Sequence, residues 1–399
     1  MLARSAAAWE AGPDIPATHF VSGLVYTDET VFEDEKRHIF GKTWQLACHE
    51  SELPELFDFR TFEVAGQPLV AVRGGDGRIR TFLNVCSHRG ARLVQEPAGN
   101  AERFTCFYHH WSYDTAGACV DIPRADGFRE SGLKQEDCGL RAVRTETKLG
   151  LVFINLDDGA KPLDDYFGES FKTFEPVMGS GELEVFHFHR AVLDANWKAW
   201  IETNLDLYHE LMHVTLRKTQ VAAGNMEDRQ FYTFANGHAE IGGVRANYKG
   251  YKGWGGRDAA KSLPGLDPDD LLVAQVFPNS TVLTRGTVMR IDTVLPLGPD
   301  KALLECRGIG RKGDSAEDRL MRIGHHNAYW GPFGRNVPED AIAAERCDAS
   351  FRPGAARHQI IARDEGGHGQ DDALLRNFYA EWGRLMGRPA HNPINQPAA

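Results

Sequence analysis

A chain of 399 residues with 42% hydrophobic and 25% charged residues is typical of a globular protein with two domains of ordinary size. The net charge of -11 argues against a nucleic-acid partner, because nucleic-acid binding usually requires a basic surface. The sequence has neither an apolar run of the roughly 18 residues that a transmembrane helix needs nor an N-terminal signal peptide, so we expect a cytoplasmic protein without a membrane partner.

The first half of the chain predicts one helix followed by a turn-rich β domain. Residues 27–40 are typical of a helix, with Thr27 or Asp28 as its N-cap. Short β-like runs separated by turn clusters follow at 57–64, 68–72, 79–85 and 150–156. We therefore expect an N-terminal arm and helix at 1–41 and an all-β domain at 42–160.

The second half, 161–399, mixes strands and helices and predicts an α+β domain. A long helix is expected over 197–216, capped by Asp194 or Asn196, and shorter helices over 318–329, 339–347 and 371–386. Strands are expected over 184–192, 230–234, 271–277, 281–283, 288–295 and 302–309. The stretch 253–270, rich in Gly, Asp and Pro, predicts a long surface loop or a lid over a site.

Four side chains in the β domain have the types and spacing of metal ligands. The seven cysteines of the chain are an odd number and widely spread, which indicates a reducing compartment rather than a disulfide framework. Two of them stand in a Cys-x-His and a Cys-x-x-His pattern, formed by Cys86 with His88 and by Cys106 with His109. Such a set is able to hold either a tetrahedral zinc or a [2Fe–2S] cluster with two Cys on one iron and two His on the other.

The surroundings of these ligands favour the cluster over zinc. A Cys₂His₂ zinc finger normally places both cysteines on a hairpin and both histidines on a helix, whereas here each loop supplies one of each. Gly90 and Gly117 suit tight loops, and Tyr108 and Trp111 are able to shield a redox centre and donate hydrogen bonds to it.

The segment resembles the signature of Rieske proteins, Cys-x-His-Arg-Gly followed by Cys-Pro-Tyr-His-Gly-Trp. The resemblance implies that Cys86 and Cys106 bind one iron of a [2Fe–2S] cluster and that His88 and His109 bind the other. This chain departs from the signature at Phe107 and His110, which replace the usual Pro and Gly. Neither departure affects a ligand, and we expect His110 to point outward.

A second candidate site lies in the predicted long helix. His209 and His213 are four residues apart and Asp206 is three before His209, so on a helix the three share one face. Two histidines and one carboxylate are the ligands of non-haem Fe(II) oxygenases. The pentapeptide His-Glu-x-x-His also matches zinc metalloproteases, in which Glu210 would be the general base. A hydrolase has no use for an electron-transfer cluster, so the iron interpretation is preferred, and a structural histidine pair remains the third alternative.

This stretch resembles the catalytic-domain motif of Rieske oxygenases, Asp-x-x-His-x(3–4)-His. The resemblance implies that His209 and His213 bind a mononuclear iron and that Asp206 links His209 to the cluster ligand His109 of a neighbouring subunit. Asn204 is a weaker candidate for a supporting residue around the iron. The third ligand is expected on a later helix after a Gly-Pro-rich turn, where we choose Asp340 over Glu339 and Glu345.

Other polar residues are assigned more ordinary roles. We expect His187 and His189, which share one strand face, to be structural, and His325 and His326 to lie on a helix surface. An arginine in the strand region 277–295 is a candidate for binding a carboxylate or sulfonate substrate, which singles out Arg285 and Arg290.

The resemblance covers nearly the whole chain and implies the large (alpha) subunit of a Rieske non-haem iron oxygenase. It implies a Rieske domain, then a catalytic domain whose antiparallel sheet wraps around an iron-binding helix and on which the N-terminal arm packs. Such an enzyme uses O₂ and electrons from an NAD(P)H-dependent reductase, with or without a ferredoxin, to mono- or dioxygenate a small aromatic compound. The alternative is a monooxygenase or demethylase of a small acid, amine or sulfonate; a Rieske electron carrier is a remote alternative. A homotrimer is expected, with a small beta subunit as an additional partner.

Overall fold

The computed structural model describes residues 12–213, 228–245 and 261–394. The chain divides into two compact units, one formed by Phe40–Leu163 and the other by the described parts of Met1–Ile39 and Asp164–Ala399. The sequence predicts domain boundaries after residues 41 and 160, whereas the units divide after residues 39 and 163. Within the described residues, no helix combines the length and the apolar character that crossing a membrane requires.

The N-terminal part of the second unit begins with short elements. The predicted N-cap Asp28 is confirmed, since it has an extended backbone and its side chain accepts a hydrogen bond from the N–H of Val31. The predicted helix 27–40 is α-helical only as far as Glu35. A π-helical segment, Lys36–Phe40, follows. The regular elements are strand β1 (Phe20–Ser22) and helices α1 (Leu24–Thr27) and α2 (Glu29–Glu35).

The first unit is entirely β apart from short 3₁₀ turns, as the sequence predicts. Its strands are β2 (Gln45–His49), β3 (Asp58–Val64), β4 (Gln67–Arg73), β5 (Ile79–Leu83), β6 (Ala98–Asn100), β7 (Arg103–Thr105), β8 (Ser112–Asp114), β9 (Cys119–Asp121), β10 (Ala142–Lys148) and β11 (Leu151–Asn155). Seven of them form an antiparallel sheet in the order β2-β11-β10-β5-β4-β3-β6, and β7-β8-β9 form a second sheet. The loop with Cys86 and His88 follows β5 of the large sheet, and the loop with Cys106 and His109 connects β7 to β8 of the small sheet.

The second unit contains one large antiparallel sheet and the longer helices. Its strands are β12 (Leu183–Leu193), β13 (Gln230–Thr233), β14 (Ala239–Arg245), β15 (Asp270–Val276), β16 (Ser280–Arg285), β17 (Val288–Gly298), β18 (Lys301–Arg311) and β19 (His358–Ile360). The sheet order is β12-β18-β17-β16-β15-β14-β13, while β19 pairs with β1. The helices are α3 (Leu163–Phe167), α4 (Glu175–Met178), α5 (Trp197–Leu205), α6 (Ala316–Tyr329), α7 (Asn336–Phe351) and α8 (Ala373–Met386).

Helix α5 is the element on which the sheet and the other helices converge. It packs against β15, β16, β17 and β18 on one side and against α7 on another. Its N-terminus is capped by Asn196, whose side chain accepts a hydrogen bond from the N–H of Lys198. The arrangement of a sheet around this helix confirms the fold class expected from the sequence.

The predicted helix over 197–216 is wrong in its length. α5 ends at Leu205, and Asp206 adopts an extended backbone and accepts a hydrogen bond from the N–H of Tyr208 at 2.5 Å. A short aspartate side chain that bonds to the backbone competes with helical hydrogen bonds, which explains the break. A 3₁₀ turn, Tyr208–Leu211, follows. Residues 214–216 of the predicted helix lie outside the described residues, as do residues 253–260 of the proposed lid at 253–270.

A buried charged network joins α2, α5 and α8. The carboxylate of Glu35 accepts hydrogen bonds from Lys198 Nζ at 2.6 Å, Trp197 Nε1 at 2.8 Å and Trp382 Nε1 at 2.7 Å. Glu35 and Lys198 are both fully buried. Each charge therefore depends on the other for compensation, and the network fixes the N-terminal half of α5 in the unit.

Candidate metal centres

The first candidate centre lies on two loops that share one backbone pattern. In the first loop the N–H of Gly90 donates to the carbonyl of Cys86, and in the second the N–H of His110 donates to the carbonyl of Cys106, both at 3.0 Å. Gly90 and His110 have φ values of 74° and 60°. His110 therefore occupies a left-handed position that favours glycine, and its side chain is exposed, as expected.

The four side chains of these loops suit a mixed-ligand cluster. Cys86 and Cys106 are buried, and the rings of His88 and His109 approach with centroids 4.5 Å apart. The Nδ1 atom of His88 is buried and has no hydrogen-bond partner among the described residues. The two thiols and two imidazoles, one of them with an unpartnered buried nitrogen, fit the donor set of a Rieske [2Fe–2S] cluster.

The surroundings of the cysteine ligand Cys86 supply hydrogen bonds that the sequence did not predict. The hydroxyl of Tyr113 lies 3.2 Å from Cys86 Sγ and 2.8 Å from the hydroxyl of Ser87, which donates to the carbonyl of Cys138. Burial raises the pKa of Tyr113, so its hydroxyl keeps a proton that it can donate to a thiolate. Tyr113 lies on β8, the strand that directly follows the second loop. This closeness in the chain to Cys106 and His109 is the only feature of the sequence that could have indicated its role. Trp111 stacks on His88 at 4.7 Å.

The second candidate centre gathers His209, His213 and Asp340. The Nε2 atoms of the two histidines are 3.1 Å apart, and Asp340 Oδ1 lies 3.5 Å from His209 Nε2 and 3.0 Å from His213 Nε2. The histidines do not share one face of a regular helix as predicted. They converge because the 3₁₀ turn after α5 brings His209 and the following His213 towards α7, which carries Asp340.

The charges at this centre suit a bound cation. Burial alone would lower the pKa of His209, but the carboxylates of Asp206 and Asp340 outweigh it and raise that pKa to about 10. Burial opposes ionisation of Asp340, yet the two histidines lower its pKa to about 2. A divalent metal would replace the proton that the carboxylates draw onto His209, since ligand histidines must be neutral. Two imidazoles and one carboxylate are the ligands of a mononuclear Fe(II) site.

Two of the acids considered for the third ligand have other partners. Glu339 Oε2 lies 2.7 Å from His213 Nδ1, the nitrogen that faces away from the metal position. It is thus placed to fix the orientation and tautomer of His213. Glu345 lies further along α7, and its Oε1 accepts a hydrogen bond from the N–H of Asp194 at 3.1 Å.

Asp206 and Asn204 lie on different sides of the end of α5. Asp206 Oδ2 is 3.5 Å from His209 Nδ1, again the nitrogen that faces away from the metal position. Asn204 is buried, and its Oδ1 accepts a hydrogen bond from Arg290 Nη2 at 2.7 Å. Asn204 therefore connects α5 to the sheet rather than contacting one of the three candidate ligands.

The geometry of Glu210 argues against a zinc protease. Its carboxylate is buried and accepts hydrogen bonds from Arg229 at 3.0 Å and Gln370 at 2.7 Å. A general base must be able to reach the metal-bound water and take its proton. A carboxylate that is held by an arginine and an amide elsewhere in the unit does not meet that requirement.

Two arginines and two histidines beside the large sheet are buried. Arg285 and Arg290 are both 2% exposed, and their guanidinium groups lie over the ring of Trp330 at 5.1 and 5.6 Å. The expectation that His325 and His326 lie on a helix surface is wrong, because their exposures are 3% and 0%. They lie on the side of α6 that packs against β17 and β18, which the sequence pattern did not reveal.

The two halves of the chain match two known families. Residues 43–135 match the Rieske [2Fe-2S] domain, and residues 180–388 match the catalytic domain of the ring hydroxylating alpha subunit. The chain belongs to the alpha subunits of the Rieske ring-hydroxylating oxygenases. The predicted family, the oxygenase activity and the two cofactors, a [2Fe–2S] cluster and a mononuclear iron, are thereby confirmed.

Two relatives of this Rieske oxygenase align over almost their full length. The chain is 45% identical to the 2-aminobenzenesulfonate 2,3-dioxygenase subunit alpha of an Alcaligenes species over 98% of this chain and 99% of the relative. It is 39% identical to the methanesulfonate monooxygenase hydroxylase subunit alpha of Methylosulfonomonas methylovora over 100% of this chain and 99% of the relative. The naphthalene 1,2-dioxygenase of a Rhodococcus species has the same fold, with a TM-score of 0.78, 22% identity and coverage of 92% of this chain and 94% of that one.

Proposed function

We propose that this Rieske oxygenase acts on a small organosulfonate. The observation that carries the proposal is that two relatives at 45% and 39% identity, which align over 98% and 100% of this chain, are named for sulfonates, one aromatic and one aliphatic. Relatives named for the carboxylates anthranilate and toluate are only 27–29% identical. The compounds for which these two more similar relatives are named share only the sulfonate group. The proposal therefore specifies this group and leaves the carbon skeleton open.

A buried arginine that bonds to the end of α5 supports an anionic substrate. Arg290 bonds to Asn204, two residues before Asp206, and forms an ion pair with Asp292 at 2.8 Å. Its Nε atom is buried without a hydrogen-bond partner among the described residues. Arginine binds tetrahedral oxyanions through paired N–H groups, and a buried N–H that lacks an acceptor favours a ligand that supplies one. We therefore assign the sulfonate contact to Arg290.

The proposed roles of the site residues follow from their positions. When bound, the cluster supplies electrons and the Fe(II) activates O₂. Cys86, His88, Cys106 and His109 would hold the cluster, and His209, His213 and Asp340 would hold the iron. Asp206 would keep the proton of His209 on Nδ1, so that Nε2 remains free for the metal.

The assembly of the enzyme is also a proposal. Electrons would come from an NAD(P)H-dependent reductase, directly or through a ferredoxin. We propose a homotrimer in which Asp206 connects His209 to His109 of a neighbouring subunit, since a ring supplies each iron with an adjacent cluster. Both relatives are named as alpha subunits, which supports a small beta subunit as a further partner.

Matched pairs of substrates test the proposed sulfonate specificity. The reconstituted oxygenase is given a reductase, NADH and either a sulfonate or the carboxylate of the same skeleton: 2-aminobenzenesulfonate with 2-aminobenzoate, and methanesulfonate with acetate. Substrate-dependent O₂ consumption and the mass of the product are measured. The proposal expects kcat/KM to be higher for the sulfonate in at least one pair. Turnover of the carboxylates alone would contradict it.

A substitution tests whether Arg290 contacts the sulfonate, independently of whether the enzyme prefers sulfonates to carboxylates. Arg290→Gln is expected to raise the KM for the sulfonate about tenfold or more, because one charge-assisted hydrogen bond contributes about 1.5–3 kcal/mol. Arg285→Gln is the control, since Arg285 is equally buried over the same Trp330 ring. An unchanged KM in Arg290→Gln, with iron content preserved, would remove this residue from the substrate contact.

A further inference from the structure

Three histidines that have no role in either candidate centre gather at the edge of the catalytic sheet. His187 and His189 alternate on β12, the edge strand, and therefore point to the same face. A bulge between Val185 and His187 shifts the register of β12 against β18 at this point. His326 approaches the same face from α6.

Their ring nitrogens have the separation of ligands to one ion. His187 Nε2 and His189 Nδ1 are 3.1 Å apart, the same distance as between the two candidate iron-binding histidines. One nitrogen from each of the three rings lies within 4.8 Å of the others. Bonds of about 2.0–2.1 Å from one Zn²⁺ to several imidazoles imply nitrogen separations close to these values.

The burial of these rings is costly without a ligand. His326 is 0% exposed, and neither of its nitrogens has a hydrogen-bond partner among the described residues. His189 Nε2 is also buried and without a partner there. A buried polar group that lacks a partner costs about 1–3 kcal/mol, and an ion that binds one nitrogen of His326 would remove this cost for that nitrogen.

The surroundings of the rings favour their neutral form. Burial, together with the neighbouring His187, His189 and Arg290, lowers the pKa of His326 to about 3. Burial, His187 and Arg290 also lower the pKa of His189 to about 4. Neutral imidazoles offer lone pairs to a metal at neutral pH without releasing a proton. The positive charge of Arg290, which acts on both rings, forms an ion pair with Asp292 at 2.8 Å.

The backbone leaves room for this arrangement. Gly308 of β18 lies opposite His187 on one side and opposite Arg290 on the other. A Cβ atom at this glycine would come within 2.8 Å of the His326 ring and 3.1 Å of His187 Cβ. Glycine at position 308 thus allows the helix histidine to reach the two strand histidines.

We propose that His187, His189 and His326 form a second metal site in the catalytic unit, which binds a late divalent transition metal such as Zn²⁺. Three imidazoles without a carboxylate suit Zn²⁺, with water as the fourth ligand, whereas the site with His209 and His213 has the carboxylate typical of Fe(II). The two strand histidines are half-buried, which leaves a route for the ion to enter.

The proposed ion would connect an edge strand to the helix that precedes the iron ligand. α6 is followed after a short turn by α7, which carries Asp340. An ion that fixes α6 against β12 would therefore also restrict the position of α7. This role is structural and does not depend on the proposed sulfonate substrate.

The test uses the full chain with the iron-binding histidine His213 replaced. The variant His213→Ala, with its cluster intact, is freed of other metals with a chelator and titrated anaerobically with Co²⁺. The proposal expects one Co²⁺ per chain, with visible bands of a nitrogen-ligated ion and an X-ray absorption spectrum of three imidazoles. Adding His187→Gln or His189→Gln should weaken binding at least tenfold, whereas adding His325→Gln should not. His325 is the matched control, because it neighbours His326 on α6 and bonds to Thr287 instead.

Two results would overturn the proposal. One is the absence of Co²⁺ binding in His213→Ala while the cluster absorbance shows that the protein is folded. The other is Co²⁺ binding that remains unchanged in both His187→Gln and His189→Gln. If these double variants do not fold, the X-ray absorption spectrum of His213→Ala decides, since fewer than three imidazoles around Co²⁺ would exclude the site. Iron content and substrate turnover are not used, so the result is independent of the proposed function.

Discussion

Tyr113 places a hydroxyl group beside one of the cysteines proposed to bind the cluster. A hydrogen bond to a ligand sulfur stabilises the reduced, more negative cluster more than the oxidised one, and it therefore raises the reduction potential. The hydroxyl lies 3.2 Å from Cys86 Sγ. Nothing in the spacing of the Cys and His residues reveals this contact, since it depends on how β8 passes the first loop.

Tyr113→Phe is expected to lower the reduction potential of the cluster by about 20–65 mV. This range corresponds to one hydrogen bond of about 0.5–1.5 kcal/mol in a one-electron couple. A redox titration followed by visible circular dichroism measures it. Tyr108→Phe is the control, because Tyr108 is 52% exposed and its ring lies against that of His109, with centroids 3.7 Å apart. Equal potentials for Tyr113→Phe and the unmodified protein would mean that the hydroxyl does not act on the cluster.

Glu339 is expected to support His213 without binding iron itself. Glu339→Gln should weaken Fe(II) binding by about 10–100-fold, the usual effect of losing a carboxylate that orients a ligand histidine. Glu345→Gln, on the same helix but bonded to Asp194, should leave the affinity unchanged. Anaerobic equilibrium dialysis with Fe(II) gives both constants. Complete loss of iron from Glu339→Gln, with iron retained in Asp340→Asn, would instead make Glu339 the third ligand.

Residue types and spacing predicted much of the candidate sites but little of what surrounds them. Cys86, His88, Cys106 and His109 were predicted because a cluster needs two thiols and two imidazoles on two short loops. Asp340 was chosen over Glu339 and Glu345 from its place in the chain, and the structure brings its carboxylate to the two histidines. Burial of His326 and the contact of Glu339 with His213 depend on tertiary packing, which local spacing does not encode.

At the scale of elements, α5 shows where the periodicity of a sequence misleads. The i, i+4 spacing of His209 and His213 is that of a helix, yet α5 ends before both of them. Local hydrogen bonding by Asp206 overrides the pattern, and the histidines converge from a tighter turn. The predicted strands lie close to observed ones because alternation and turn residues are local signals. Strands β2, β10 and β14 were not predicted, and the order of strands in a sheet is not a local signal.

The buried network at Glu35 makes the position of α5 sensitive to a single charge. Glu35→Gln would leave the ammonium of Lys198, whose pKa burial already lowers, without its counter-charge. We expect the free energy of unfolding to fall by about 3–5 kcal/mol. The double variant Glu35→Gln/Lys198→Met should lose less, because it removes the isolated charge. Urea unfolding followed by tryptophan fluorescence measures this, and a double variant less stable than Glu35→Gln would contradict the proposed pairing.

At the scale of the whole molecule, the chain combines an electron-transfer domain with an oxygenase domain. The family matches cover both parts, so a Rieske electron carrier, which needs only the first, does not describe it. A zinc hydrolase is disfavoured because Glu210 is held by Arg229 and Gln370. The sequence predicted this organisation because each metal motif lies within a short stretch of one unit. The substrate group required whole-chain relatives, since no single motif specifies it.

The most direct test is the iron content and visible spectrum of anaerobically purified protein, compared with His109→Ala and His213→Ala. We predict about three irons per chain and a brown colour for the unmodified protein, from one two-iron cluster and one mononuclear site. His213→Ala should keep the colour and lose one iron together with all turnover, whereas His109→Ala should lose the colour and keep the mononuclear iron. One zinc per chain without colour, or full turnover in His213→Ala, would contradict the assignment of the two centres.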